Sequence, residues 1–445
     1  MKDMYIKFND NFFFQRLQLK DQFIGNVRAL DFNGIRSMEI NHDAYQVLDL
    51  LEEKFSVADC IDILAARYQA DKKVIEPLVI EIIRAAAETG LVEYAKTRPD
   101  TRKKVIPTCM KLDYTYPLDR AFIELVSKCN LSCKHCYGSF GPTLSEALSK
   151  DTVFSLLDQL KELQCPDVRF TGGEIFLHRD FLEILDYAHG HNFIINILTN
   201  GTLITRGIVE KLKKMGQLII RISIEGHIAQ IHDTFCGLAG AFEKSVQAVK
   251  MLRDAGFRVR INHNMHKNSY KFAGAMSDLA DGLDVPISFG HVHRDGNCLE
   301  HVDEIYIEPQ TYHNAFKKIS KRSQKGGGNE VSTIGKNTKN HIERCSAGKS
   351  RFAVLSNGNV NPCITFPRID KFVMGNIYKS TIRDIVFNYN REKNISSFNS
   401  LDIEECKNCK EVAECKGGCI AVAYAETGKI HKPDPFFCAR RRAEA

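Results

Sequence analysis

Three cysteines, Cys129, Cys133 and Cys136, stand at C-x3-C-x2-C spacing just after a mostly apolar run, 121–126. Three thiolates on one short loop can hold three irons of a [4Fe–4S] cube. The fourth iron then has no protein ligand, so a small molecule can bind there and take an electron. For the loop alone, a zinc knuckle is the competing reading, because thiolates also suit zinc. A second set lies far downstream: Cys345 and Cys363, then Cys406-x2-Cys409-x5-Cys415-x3-Cys419, then Cys438. A zinc ribbon would account for four of these seven. Cys60, Cys109, Cys165, Cys236 and Cys298 fall outside both sets and read as structural thiols.

The 445 residues include 15 cysteines. Cysteines in a reducing compartment are more often metal ligands or catalytic groups than disulfide partners. The N-terminal stretch, 1–7, has no apolar run of signal-peptide length, and no run of about 18 apolar residues occurs. The expectation is a cytoplasmic protein without a membrane span. Net charge is +6, with acids and bases interspersed, which argues against a nucleic-acid partner. Lys321, Arg322 and Lys325 lead into Gly326-Gly327-Gly328 and read as a solvated loop.

The length suits about three domains. Strand patterns at 122–126, 168–170, 194–198, 218–224, 258–262 and 286–289 alternate with helical ones such as 152–163, 179–189 and 242–255. Repeated βα units imply a parallel sheet that closes partly into a barrel; six units are fewer than a full barrel's eight. Chemistry in such folds sits at the strand C-terminal ends, where the cysteine loop follows the first strand. Upstream, 23–32 and 35–40 flank Asn33-Gly34, a hairpin turn. Helical periods follow over 44–55, from Ser56 as an N-cap, and over 73–89, with Pro77 near its start and Gly90 as a stop. A hairpin and three helices make a winged-helix plan. The third helix carries Glu76, Glu81 and Glu88, which does not fit a DNA-binding face.

The cysteine loop resembles the signature of the radical S-adenosylmethionine (SAM) enzymes. Thr171-Gly172-Gly173-Glu174, one βα unit later, resembles the segment that holds the SAM amino group in that family; two glycines let a backbone approach a ligand closely. Leu198-Thr199-Asn200-Gly201-Thr202 looks like a recurring turn of the family. The fourth strand ends in Ser223-Ile224-Glu225-Gly226, where the family places ribose-binding groups, so the resemblance implicates Ser223 and Glu225; Asn262 is a weaker candidate. The segment 231–237 is similar to one with arginine where Cys236 stands. If that arginine steadies the SAM carboxylate, Arg221, Arg260 or Arg294 would take its place here. His232, Asp233 and His293 are further candidates near the strand ends, each more often a turn or surface group.

The downstream cysteines resemble the SPASM extension of radical SAM peptide-modifying enzymes. The resemblance implies two auxiliary [4Fe–4S] clusters, making three in all. Cys345, Cys363 and Cys419 would belong to the first, and Cys406, Cys409, Cys415 and Cys438 to the second. Many relatives have a further cysteine that is absent between Cys345 and Cys363. Cys298, a non-cysteine ligand or a substrate thiolate would fill the gap. The pattern from Arg36 to Tyr94 resembles the PqqD-like element that grips leader peptides by strand addition.

The resemblance implies a PqqD-like domain at 1–95, a linker at 96–118, a radical SAM partial barrel at 119–325 and a SPASM domain at 326–445. It implies a maturase that makes a thioether crosslink in a ribosomally made precursor peptide, with SAM as cofactor and an electron donor such as flavodoxin or ferredoxin. Carbon–carbon crosslinking, or residue oxidation as in anaerobic sulfatase maturation, uses the same parts.

Overall fold

The computed structural model describes residues 4–8, 12–16, 27–31, 36–40, 42–52, 55–99, 104–106, 118–163, 165–191, 193–215, 218–320, 345–392, 395 and 399–444. The Asn33-Gly34 turn, Cys109, most of the linker and the 321–328 stretch lie outside the described residues. Two compact units result, one within Met1–Thr115, the other from Tyr116–Gly326 with Thr338–Ala445.

In the first unit, β1 (Tyr5–Phe8), β2 (Phe12–Arg16), β3 (Val27–Asp31) and β4 (Arg36–Ile40) precede α1 (His42–Glu52), α2 (Val57–Tyr68) and α3 (Lys72–Glu88); β5 (Val92–Ala95) and β6 (Lys104–Ile106) follow. β3 and β4 form the antiparallel hairpin expected from sequence. β2 and β6 extend it to a sheet in the order β4-β3-β2-β6, so part of the expected linker is strand, and β1 pairs separately with β5. Ser56 caps α2 in a reciprocal box with Asp59, each side chain accepting from the other's backbone N–H. α3 ends at Gly90, whose φ of +77° lets Leu91 and Gly90 donate back to Ala86 and Ala87. The helices enclose an apolar core that includes Leu48, Val57, Cys60, Val79 and Ile83.

The second unit alternates β7 (Arg120–Glu124), α4 (Lys150–Glu162), β8 (Asp167–Thr171), α5 (Phe181–Gly190), β9 (Ile194–Thr199), α6 (Arg206–Leu212), β10 (Leu218–Ser223), α7 (Ala229–Cys236), α8 (Ala241–Asp254), β11 (Arg258–Met265), α9 (Ala273–Gly282) and β12 (Ile287–His291). The six strands are parallel and neighbour one another in chain order, as six βα units require. One face carries Val168, Phe170, Ile195, Ile197, Ile220, Ile222, Val259 and Ile261, all buried. The period of two puts Arg169, Asn196, Arg221, Ser223, Arg260 and Asn262 on the other, inner face.

After α10 (Cys298–Ile305) and α11 (Pro309–Ser320), β13 (Arg351–Val354) joins the same sheet parallel to β7. β14 (Asn359–Asn361) and β15 (Gly375–Asn376) continue it antiparallel, making nine strands. The chain closes with α12 (Ile382–Glu392), α13 (Val412–Cys415), α14 (Ile420–Thr427) and α15 (Pro435–Glu444).

Candidate functional site

Backbone contacts hold the three-cysteine loop from two directions. From the end of α7, Cys236 and Phe235 carbonyls accept from Ser132 N–H (2.9 Å) and Lys134 N–H (3.2 Å). From the loop after β12, Asn297 donates its N–H to the Cys136 carbonyl and its Nδ2 to that of Cys133, both at 3.0 Å. Two further N–H groups point at sulfur: Leu131 at Cys129 Sγ (3.4 Å) and Phe140 at Cys136 Sγ (3.3 Å). Cys129 is buried; Cys133 and Cys136 are half-buried. Burial pushes the Cys129 thiol up to about 12 and that of Cys136 to about 11, while the Cys236 thiol beside it, with burial, raises Cys133. Bonding to iron would reverse this by replacing the proton. Among the described residues no three His, Cys, Asp or Glu side chains form a preformed site for a metal ion; Cys129, Cys133 and Cys136 pack on one apolar cluster and supply the three thiolates a cube with one open iron needs. The donor set fits the cube.

Gly172 and Gly173 are needed for a reason beyond the one read from sequence. A Cβ on Gly172 would stand 2.5 Å from the Val126 carbonyl oxygen, and one on Gly173 2.2 Å from that of Lys128. What approaches these glycines is the root of the cysteine loop, which Gly173 N–H and Glu174 N–H bond at 2.7 and 2.9 Å. Glu174 is fully buried and accepts from the Thr199 hydroxyl (2.7 Å), Asn200 N–H (2.8 Å) and Phe176 N–H (3.2 Å). It joins the turns after β8 and β9, and Asn200 in turn donates to Asn130 on the cysteine loop at 3.0 Å.

Ser223 is half-buried at the end of β10, and Asn262 is its register partner on β11. Glu225 is 1% exposed, and burial pushes its carboxyl up to about 7. Asn264 N–H donates to it at 2.8 Å, and His135 Nε2 and His263 Nδ1 lie 3.5 and 3.8 Å away. Its backbone N–H donates to His232 Nδ1 (2.9 Å), and its carbonyl accepts from His266 Nε2 (2.8 Å). His232 is therefore a buried residue of α7, not a turn or surface group, because it closes this network; Asp233 caps α8 through Gly240 and Phe242 N–H. His293 is half-buried, and its partial burial lowers it to about 4. The histidine cluster was missed from sequence, although His263-x2-His266 at the fifth strand's end was a readable signal. Arg294 is engaged by Glu426, Glu308 and the Tyr306 ring.

Cys345, Cys363 and Cys419 border one apolar cluster with Phe366, Phe372, Ile420 and Ala421. Burial, with Cys345 and Cys363 nearby, raises the Cys419 thiol to about 12. Cys298 packs instead with Cys129, Cys133 and Cys136. Cys406 and Cys415 are buried, Cys409 and Cys438 half-buried, and α13 packs against α15, which carries Cys438. Asp434, unremarked in the sequence, accepts from Cys419 N–H (3.1 Å) and caps α15 through Phe436 N–H (2.9 Å). Arg368 was likewise missed. It pairs with fully buried Glu124 at the end of β7 (Nη1 to Oε1, 3.0 Å) and lies over the Tyr137 and Phe140 rings.

Residues 123–269 match the radical SAM superfamily model, 345–410 the SPASM iron–sulfur cluster-binding domain, and 29–92 coenzyme PQQ synthesis protein D (PqqD). An AdoMet-dependent heme synthase of Methanosarcina barkeri (strain Fusaro / DSM 804) is 29% identical over 338 residues, 70% of this chain and 94% of that protein. The antilisterial bacteriocin subtilosin biosynthesis protein AlbA of Bacillus subtilis (strain 168) is 28% identical over 285 residues, 64% of this chain and 62% of that one. The crystal structure of Streptococcus suis SuiB bound to S-adenosylmethionine has the same fold, with a TM-score of 0.65 at 15% identity over 97% of this chain and 99% of that one. The chain thus carries a PqqD, a radical SAM and a SPASM domain in that order, and it belongs to the radical SAM enzymes.

Proposed function

We propose that this enzyme forms a sulfur-to-carbon thioether crosslink in a ribosomally made precursor peptide. Its domain order and relatives that include a bacteriocin biosynthesis protein support action on a precursor peptide; SuiB, of the same fold, is also known bound to its precursor peptide SuiA. The gathering of Cys345, Cys363 and Cys419 at the border of one apolar cluster carries the thioether reading. Three protein thiols leave one position of a cube for a substrate cysteine.

When bound, SAM and the clusters supply a 5′-deoxyadenosyl radical and take up one electron. Cys129, Cys133 and Cys136 would hold the SAM-binding cluster. The backbone around Gly172 and Gly173, with Glu174, Ser223 and Glu225, would hold SAM. Cys406, Cys409, Cys415 and Cys438 would hold the second auxiliary cluster. One hydrogen leaves the substrate carbon and one proton leaves its cysteine, so the peptide loses two hydrogens. A flavodoxin or ferredoxin would deliver the starting electron.

α3 offers the leader a surface: Val74 and Leu78, one turn apart, are 59% and 53% exposed. The test is co-expression, without oxygen, with a short cysteine-containing peptide encoded beside this gene. A loss of two hydrogens with a cysteine no longer open to alkylation is the expected result. The same loss with every cysteine alkylated would assign a carbon–carbon crosslink. An unchanged mass, from enzyme that cleaves SAM, would refute action on that peptide.

A further inference from the structure

The inner face of the barrel is positively charged below the strand ends. Arg120, Arg169, Arg221 and Arg260 lie there with Asp167 and, at the end of β7, Glu124, whose carboxylate Arg368 already pairs. Asp167 is already used: Arg120 Nε donates to it at 2.7 Å, Arg169 Nη2 at 2.9 Å and Asn196 Nδ2 at 3.0 Å. Arg221, 8% exposed, has only the Asn196 Oδ1 at 3.4 Å. Its register partner Arg260, half-buried, has only the Ser288 hydroxyl at 3.0 Å. Neither has a carboxylate within ion-pair distance among the described residues. Burial, with Arg169 and Arg260 nearby, lowers the Arg221 guanidinium to about 9.

A buried guanidinium left without a counter-charge is costly, and a planar fork of donors suits a carboxylate in two-point contact. The face also has a telling position. Arg221 and Arg260 lie two residues before Ser223 and Asn262, and on the other side Arg120 is the register partner of Arg351, on the strand that runs between Cys345 and Cys363 in the chain. A substrate held between the SAM site and the first auxiliary set would pass over it. We propose that Arg169, Arg221 and Arg260 form a carboxylate-binding site for the peptide to be modified, taking an Asp or Glu side chain or a C-terminal carboxylate. The proposal rests on the peptide-modifying reading, but its test measures binding, so it can fail while that reading stands.

The experiment uses the full chain with its clusters, without oxygen, and glutarate as probe against sodium chloride of equal ionic strength. Glutarate should raise the Tm over the chloride control in a saturable way. Arg260→Gln and Arg221→Gln should each weaken that effect about tenfold or more while SAM affinity stays within about twofold. Because they relieve repulsion, neither variant should lower the Tm of the ligand-free protein. Absence of a specific glutarate effect would overturn the proposal. So would a tenfold loss of SAM affinity in the Arg260 variant, which would assign the site to the carboxylate of SAM. Lower Tm values with an unchanged glutarate shift would make the arginines structural and overturn it as well.

Discussion

At the scale of single residues, buried acceptors and bases organise the site. Glu174 accepts three hydrogen bonds with no exposure, so Glu174→Gln would set an amide N–H against one of those donors. We expect a loss of about 1–3 kcal/mol in stability, read as a lower urea midpoint, together with weaker SAM binding by titration. The histidines behind Glu225 give a pH dependence. Burial lowers His263 to about 3 and His266 to about 4. Below the ordinary imidazole range the unfolded chain takes up these protons and the folded one does not. Their contribution is therefore fully present above about pH 6.5 and is lost as pH falls towards 4, by up to about 1.4 kcal/mol per pH unit for each. In His263→Asn the slope of stability against pH over that window should fall by one proton; an unchanged slope would show that His263 does not stay neutral.

At the scale of elements, the cysteine loop is shaped by what packs on it. Gly173→Ala would drive a methyl group into the Lys128 carbonyl, and the neighbour it meets is backbone, which yields little. The variant should fold yet lose the iron bound by this loop, roughly a third of the total if three cubes are present. Iron analysis and the loss of SAM cleavage would measure it; full iron and activity would contradict the geometry. In the first unit, the α3 pair Val74 and Leu78 is exposed where a peptide would dock. Val74→Asp with Leu78→Asp should raise the KM for the precursor about tenfold or more and leave SAM cleavage without peptide unchanged, because apolar anchors dominate helix-face docking.

At the scale of the whole molecule, the SPASM segment is built into the sheet of the catalytic unit. β13 pairs with β7, and Arg368 crosses to Glu124 and to the aromatic rings next to Cys136. Arg368→Met leaves fully buried Glu124 with Ser356 as its remaining close donor, through N–H and hydroxyl. The expected cost is about 3–5 kcal/mol, seen as a large fall in Tm. Adding Glu124→Gln should recover much of it, because the damage comes from an unpaired buried charge. Additive losses in the double variant would argue against a direct pair.

The sequence by itself determined the βα order, the helix caps at Ser56 and Gly90 and the close spacing of Cys129, Cys133 and Cys136 on one loop. Each depends on neighbours within a few residues: a period of two or 3.6, a capping hydroxyl, a spacing on one loop. Tertiary structure decided the contacts between distant segments. Glu124 meets Arg368 across 244 positions, and Glu225 meets His135 from another strand end. Gly172 and Gly173 serve the cysteine loop, a reason invisible in the residues beside them. The strand period displays Arg221 and Arg260, but only the packed sheet shows that the nearest acid, Asp167, is already taken. Pairing and burial of charge are settled by what the fold brings close, and chain order does not encode that locally.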